Sequence, residues 1–428
     1  MRSFIIALLA FSILAMGRAG ASEKNPVIEW NSALLQAAQD EDGFLTLKGV
    51  RAASIMHLAI HDAVNAVDPQ FAPYAYDGVD PDADPVAALT QAAYFVAAHE
   101  YPARRSDFQK IRARWLRGVK SKKRSMRGVS LGGDAARAVL QKREGDNWNT
   151  EVEYKLHPMG PGVYAEFPEH SGTPQGFVFG ASWAHAIGFA LKSADQFRAP
   201  PPPEINSDEY TAAFNEVKEV GRFQSIERTP DQTHLALWWK DFAENSHNRL
   251  ARKLARNEKL SVVQSARLFA LVNMAIFDAY ISVFENKFFY NHWRPYTAIR
   301  WAENDGNPDT SPELTWNNTH RHTYAFPSYP SAHGAACAAA MTAFTDVFGQ
   351  GYAFEMETRI VDIAGPLSEK MELHPQMRNF TGFAEAAEEC ALSRVYLGIH
   401  FRYDSVAGNA LGRQVGENVL ENLLAPVK

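Results

Sequence analysis

Cysteine is nearly absent from this chain: two residues, Cys337 and Cys390, among 428. That is too few for a disulfide framework. They read as small buried thiols, each one helical turn from a residue assigned to the site below, so the helices carrying them are expected to be neighbours. An excess of positive charge is also lacking. A net charge of −6 excludes a general nucleic-acid binder, which needs a basic face for the phosphate backbone. Any anion site must then be a local concentration of cations on a mildly acidic body. Alternating, β-branched runs bounded by turns are scarce, which leaves an all-α fold. No stretch beyond the N-terminus reaches membrane-spanning length without charges, so stable membrane insertion is not expected.

What is present begins with an export signal. Arg2 precedes an apolar run from Phe4 to Met16, and Ala19-Gly20-Ala21 supplies small residues at the cleavage spacing. Residues 1–21 read as a signal peptide, placing the mature protein in the periplasm or the medium. Helical periodicity dominates thereafter. Residues 51–67 put Ile55, Leu58, Ala59, Ala63 and Val64 on one stripe, and residues 261–284 do the same with Leu268, Leu271, Val272, Ala275 and Ala279 behind a Ser261 N-cap. The two segments also match in register, Leu58-Ala59-Ile60-His61-Asp62-Ala63 against Met274-Ala275-Ile276-Phe277-Asp278-Ala279. Two related helical bundles packed side by side would leave such a trace. The run Pro200-Pro201-Pro202-Pro203 breaks the chain, giving an N-terminal helical domain at 22–198 and a C-terminal one at 204–428. A loop rich in glycine, proline and aromatics, residues 154–179, reads as surface packing. His57 and His61 stand one turn apart, but with no third ligand at a telling spacing they read as polar positions on a packed helix.

Three clusters in the second half carry chemistry. In the first, Lys287 and Arg294 are separated by seven positions, about two helical turns, so both cations can share one face. Pro295 disfavours helical geometry at Arg294 and can place it at a bend. In the second, Pro330-Ser331-Ala332-His333-Gly334 opens a run of small residues and reads as a helix start, whose free N–H groups and positive dipole end make an anion seat. Ser331 adds a hydroxyl and His333 a proton shuttle. In the third, Arg394 is followed by His400 and Asp404, one turn apart. There the carboxylate can fix the imidazole tautomer, leaving the other nitrogen to coordinate a metal or attack phosphorus.

Together the clusters resemble the signature of the superfamily uniting vanadium-dependent haloperoxidases with type 2 phosphatidic acid phosphatases and bacterial acid phosphatases: Lys, six residues, Arg-Pro; then Pro-Ser-Gly-His; then Ser-Arg, five residues, His, three residues, Asp. The one departure is Ala332 in place of glycine, which keeps the amide N–H and adds a methyl group. The resemblance implies two packed helical bundles of chloroperoxidase type, with the active site in the C-terminal one. It further implies that Lys287, Arg294 and Arg394 neutralise a bound oxyanion, and that Ser331 and the Ala332 N–H donate to it. On the same basis His333 serves as acid–base catalyst and Lys287 polarises bound peroxide, while His400 is the metal ligand, backed by Asp404. Asp241 is the candidate carboxylate partner of Arg394, by analogy with an aspartate upstream in the family.

Vanadate and phosphate share shape and charge, so the context decides between the branches. The helical half before the motifs, Trp293 before Arg294, and Phe326-Pro327-Ser328-Tyr329 before Pro330 resemble the fungal chloroperoxidase pattern. Phe326 falls where bromide-preferring algal enzymes carry histidine. The implied activity is oxidation of halide by hydrogen peroxide to hypohalous acid, with vanadate as cofactor acting as Lewis acid and template. The alternative is an exported phosphomonoesterase using a phosphohistidine at His400. A helical binding protein that kept the anion seat without catalysis is a third class, favoured by Ala332 alone.

Overall fold

The computed structural model describes residues 25–366 and 368–427; the expected signal peptide lies outside them. The N-terminal half is built from α1 (Pro26–Asp42), α2 (Lys48–Asn65), α3 (Pro85–Glu100), α4 (Arg105–Arg117) and α5 (Lys122–Lys142). A long irregular stretch follows, holding the short α6 (Pro168–Ser171) and a single 3-10 turn at Trp183–His185 among the described residues. The C-terminal half comprises α7 (Asp208–Val220), α8 (Pro230–Trp238), α9 (Ala243–Asn257), α10 (Val262–Tyr290), α11 (Pro295–Arg300), α12 (Ala332–Phe348), α13 (Phe383–Tyr396) and α14 (Arg402–Asn422). Between α12 and α13 the chain makes two small antiparallel sheets, one nested in the other: β1 (Phe354–Glu357) pairs with β4 (Met377–Phe380), and β2 (Ile360–Asp362) with β3 (Lys370–Glu372). These four short strands are a local exception to the all-α expectation.

The axis of the molecule is α10. Ser261 and Gln264 form a reciprocal capping box at its start, and Asn291, at φ 50°, ends it in the left-handed conformation. The helix is long and apolar enough to cross a membrane, yet its apolar window is buried inside the protein. An all-round apolar helix is what a central core position demands, because α10 packs on α2 in one half and on α12 and α14 in the other. One apolar cluster therefore runs through both halves, from Leu34 and Val96 to Phe344 and Val415.

The repeat in the sequence has a physical meaning at its aspartates. Asp62 on α2 accepts three consecutive backbone N–H groups, from Tyr74, Ala75 and Tyr76, at 2.7–2.9 Å. Asp278 on α10 does the same for Phe189, Ala190 and Leu191 at 2.6, 2.8 and 3.2 Å. Each buried carboxylate thus satisfies a passing loop that would otherwise leave its amides unpaired in the core. Burial pushes the Asp278 carboxyl up to about 6 even against those three bonds. The histidine beside the first aspartate, His61, bonds Asp62, while His57 meets Asn31 at 3.0 Å and stacks on Phe269. Both are core histidines.

Helix α14 lies against α12 through a stripe of glycines, Gly408, Gly412 and Gly416, spaced one turn apart. A Cβ on Gly408 would stand 2.3 Å from the Ser331 carbonyl oxygen, and one on Gly412 would stand 2.0 Å from that of Ala335. This close approach holds the start of α12 against the start of α14, where the anion seat was expected. Gly412→Ala is expected to cost about 1–3 kcal/mol through overpacking. In Gly133→Ala the added methyl would meet only the flexible Arg137 side chain at 3.5 Å, so that change is expected to be neutral or to gain up to ~1 kcal/mol of helix propensity. Chemical denaturation of both variants checks this, and equal midpoints would contradict it.

Candidate functional site

The left-handed Asn291 ends α10 directly after the turn that carries Lys287. The chain then runs extended, leaving Arg294 at φ −88°, ψ 153° as the residue before α11. The two cations therefore do not share a helical face, as their spacing suggested. Arg294 sits at the bend imposed by Pro295 and folds back toward the last turn of α10. Ser331 caps α12 by accepting the Gly334 N–H, so Ala332 and His333 occupy its first turn, where N–H groups have no acceptor within the helix. Arg394 lies in the last turn of α13. Gly398, at φ 81°, reverses the chain, and His400 falls just before α14, with Asp404 in its first turn. The pair is joined across a helix start instead of along a helix.

These pieces converge. His400 Nδ1 lies 2.9 Å from the Asp404 carboxylate and donates to it, and its Nε2 accepts from Arg294 Nη1 at 3.2 Å. The carboxylate thus sets the tautomer and leaves the Nε2 lone pair as the coordinating atom. Asp404 stands behind His400, away from the cavity, and also accepts from the Phe401 N–H at 3.2 Å and from the Ser328 hydroxyl. Ser328 is a positioning residue that the motifs did not single out. Burial holds His400 well below the usual histidine range, aided by Arg294, so the ring is neutral at pH 7. Burial pushes Asp404 up to about 7, against the Ser328 hydroxyl and the neighbouring cations.

The three cations are all buried. Lys287 Nζ donates to the carbonyls of Pro327, Ser328 and Pro330 at 3.0, 2.6 and 2.6 Å. Burial and the nearby Arg294 lower its pKa, while three acceptors need all three ammonium protons. Its charge acts on the site through space. Arg294 gives Nε to Phe326 and Nη1 to Ile399. Burial brings its pKa down to about 10, which still leaves it charged at neutral pH. The Phe326 ring lies over both, 5.1 Å from Lys287 Nζ and 4.7 Å from the Arg294 guanidinium carbon, a dry cation–π lid. Arg394 donates Nη1 to the Trp239 carbonyl at 3.1 Å. Asp241 is not its partner: it pairs with Arg249 at 2.9 Å and accepts from Asn245 at 3.0 Å. The following helix α9 returns both of those side chains to Asp241, while Arg394 takes a carbonyl two residues earlier.

His333, Ala332, Arg394 and His400 share one cavity of about 650 Å³. Its walls are aromatic, with Phe179, Trp183, Tyr280, Phe284 and Tyr324 among them, and Phe44 of the N-terminal half reaches in. Residues 154–179 lie largely at the surface, as expected, but part of the segment also walls the cavity. Ser171, Gly172, Thr173, Phe177 and Phe179 line the cavity, and the loop is tied to the site by Trp293 N–H to Gly162 and Tyr164 N–H to Asn291. Glu244, also on the wall, accepts from the Tyr280 hydroxyl at 2.7 Å, and burial pushes its carboxyl up to about 7. No local pattern marked Glu244 or Tyr280, because only tertiary packing brings them to the cavity. The two cysteines are joined in a disulfide, Cα–Cα 6.5 Å, and are not free thiols. Helices α12 and α13 lie side by side, as expected, and present them to each other.

The chemistry of this donor set fits a tetrahedral oxyanion. Among the described residues, Arg294 Nη2 and Arg394 Nε are buried donors with no acceptor. Each such group costs about 1–3 kcal/mol while unpaired. Asp404 beside His400 and Glu244 on the cavity wall stand against three buried cations, and a helix N-terminus adds positive potential. An acceptor-rich anion against His400 Nε2 would satisfy these donors together.

Comparison with known proteins agrees with this geometry. Residues 267–428 match the family described as the VCPO second helical-bundle domain. That C-terminal bundle belongs to the vanadium haloperoxidase family. The chain is 26% identical over 276 residues to the vanadium chloroperoxidase of Curvularia inaequalis, covering 51% of this chain and 44% of that protein, so it spans less than half of that relative's length. The haloperoxidase fold extends over most of the described residues. A bacterial vanadium-dependent iodoperoxidase superposes with a TM-score of 0.75 at 22% identity, covering 94% of this chain and 98% of that one. A bacterial vanadium-dependent chloroperoxidase gives 0.66 at 15% identity, covering 94% and 93%. Within the haloperoxidase-type bundle, Asp404 is placed to set the basicity and orientation of His400. Asp404→Ala is expected to weaken vanadate and phosphate binding about 10–100-fold in equilibrium dialysis; unchanged affinity would remove Asp404 from that role.

Proposed function

We propose that this protein is a vanadate-dependent haloperoxidase that uses hydrogen peroxide to oxidise halide to hypohalous acid. The observation that carries the reading is the His400 Nε2 lone pair, fixed by Asp404 and ringed by buried cations whose Arg294 Nη2 and Arg394 Nε lack acceptors. When bound, vanadate supplies a Lewis-acid centre that activates peroxide toward halide without a change of metal oxidation state. His400 would hold it, and Arg294, Arg394 and, through space, Lys287 would balance its negative charge. The Ser331 hydroxyl and the Ala332 N–H, at the start of α12, would supply further donors. His333, kept neutral by burial, can take the proton that hydrogen peroxide sheds and return it to the departing hypohalite oxygen. One peroxide, one halide ion and one proton give one hypohalous acid and one water. Aromatic walls keep the seat dry, which strengthens these electrostatic contacts. We further propose that the protein is exported, on the strength of residues 1–21.

The sign of the vanadate effect tests the reading. Vanadate is expected to activate bromide or iodide oxidation, with inorganic phosphate suppressing activation by competing for the same seat. His400→Ala is expected to lose vanadate retention and halide oxidation together while keeping the wild-type circular dichroism. Hydrolysis of an aryl phosphate that vanadate inhibits would replace this reading with the phosphohistidine one.

A further inference from the structure

Directly beneath the cavity, His333 and Cys337 stand one turn apart on α12, on the same face, and α13 brings Cys390 to them. The two sulfurs and one ring nitrogen of His333 all lie within 4.8 Å of one another. Both cysteines are fully buried, and His333 Nε2 is buried without a hydrogen-bond partner. His333 also lines the cavity, which gives an ion a route in and leaves room for a fourth ligand. In the disulfide form the sulfurs are poor ligands. As thiolates they complete a Cys-Cys-His set of the kind that binds zinc, with Zn–S near 2.3 Å and Zn–N near 2.0–2.1 Å. Such a tetrahedron separates its ligand atoms by roughly 3.5–4 Å, so a modest parting of two already adjacent sulfurs would suffice.

We propose that reduction of the Cys337–Cys390 bond turns these two cysteines and His333 into a binding site for a soft divalent cation such as Zn2+. Occupancy removes His333 from proton transfer in the cavity, a consequence that rests on the haloperoxidase reading above. The reduction breaks one S–S bond and forms two S–H bonds. With a phosphine as reductant and water as oxygen source, the phosphine leaves as phosphine oxide. Metal binding then displaces the two thiol protons.

The test uses the full mature protein without vanadate, under anaerobic conditions, with Co2+ as spectroscopic probe. Phosphine-reduced wild type, confirmed by a count of two thiols, is expected to bind one Co2+ per chain with thiolate charge-transfer and tetrahedral d–d absorption, both displaced by Zn2+. The oxidised protein and reduced Cys337→Ser are expected to lack that spectrum. Because reduction alone can loosen the fold, melting is followed as well, and Zn2+ is expected to raise the melting temperature of the reduced protein only. The site is refuted if the bond resists reduction in the folded protein, if reduced and oxidised forms take up cobalt alike, if Cys337→Ser keeps the spectrum, or if Zn2+ leaves the reduced protein's melting unchanged. None of these readouts needs turnover, so they stand whether or not halide is oxidised. Where halide is oxidised, Zn2+ is expected to abolish it in the reduced form alone. Undiminished oxidation at full zinc occupancy would overturn the role assigned to His333.

Discussion

The constraint on which the rest of the structure depends is the burial of more positive charge than the protein itself balances. Lys287, Arg294 and Arg394 lie in the interior around His400, with Asp404 hydrogen-bonded to that histidine and Glu244 on the cavity wall. Removing ions from water is costly unless each is paired and hydrogen-bonded. The protein meets part of that cost with backbone carbonyls: three for Lys287, those of Phe326 and Ile399 for Arg294, and that of Trp239 for Arg394. Among the described residues Arg294 Nη2 and Arg394 Nε remain unpaired, and their natural complement is an anion with several acceptor oxygens.

Much of the fold serves to hold that seat. The central helix α10 delivers Lys287 at its last turn, and its αL end at Asn291 throws Arg294 back across the site. The glycine stripe of α14 brings His400 and Asp404 against the Ser331 cap of α12. The buried aspartates Asp62 and Asp278 perform the same task on α2 and α10, tying loops down in the core that both helices share. The aromatic cavity is lined by loops from both halves, and the charged groups among its lining residues come from the C-terminal one.

The helical class, the start of α12 and the pairing of His400 with Asp404 were legible in the sequence because each depends on local spacing or cap chemistry. Two geometric details were not. Arg294 leaves the helix of Lys287 because Asn291 ends it, and His400 meets Asp404 from just outside α14; residue spacing alone does not reveal where a helix stops. Tyr324, Glu244 and the cavity-lining part of residues 154–179 carry no periodic or motif signal, and Ser328, though inside the quoted Phe326–Tyr329 run, had no role read for it, since these roles arise from tertiary convergence. The disulfide was missed for a related reason: two cysteines 53 positions apart disclose proximity only once α12 and α13 are packed. Asp241 shows the opposite error, since an analogy of position gave way to nearer partners, Arg249 and Asn245.

The central claim is that His400 Nε2 and the buried cations form one oxyanion seat. An X-ray structure of the protein soaked in orthovanadate, with vanadium located by anomalous scattering, tests it most directly. The expected result is one vanadium within bonding distance of His400 Nε2, its oxygens accepting from Arg294 Nη2 and Arg394 Nε. Vanadium bound elsewhere, or a seat still without density at saturating vanadate, would contradict it.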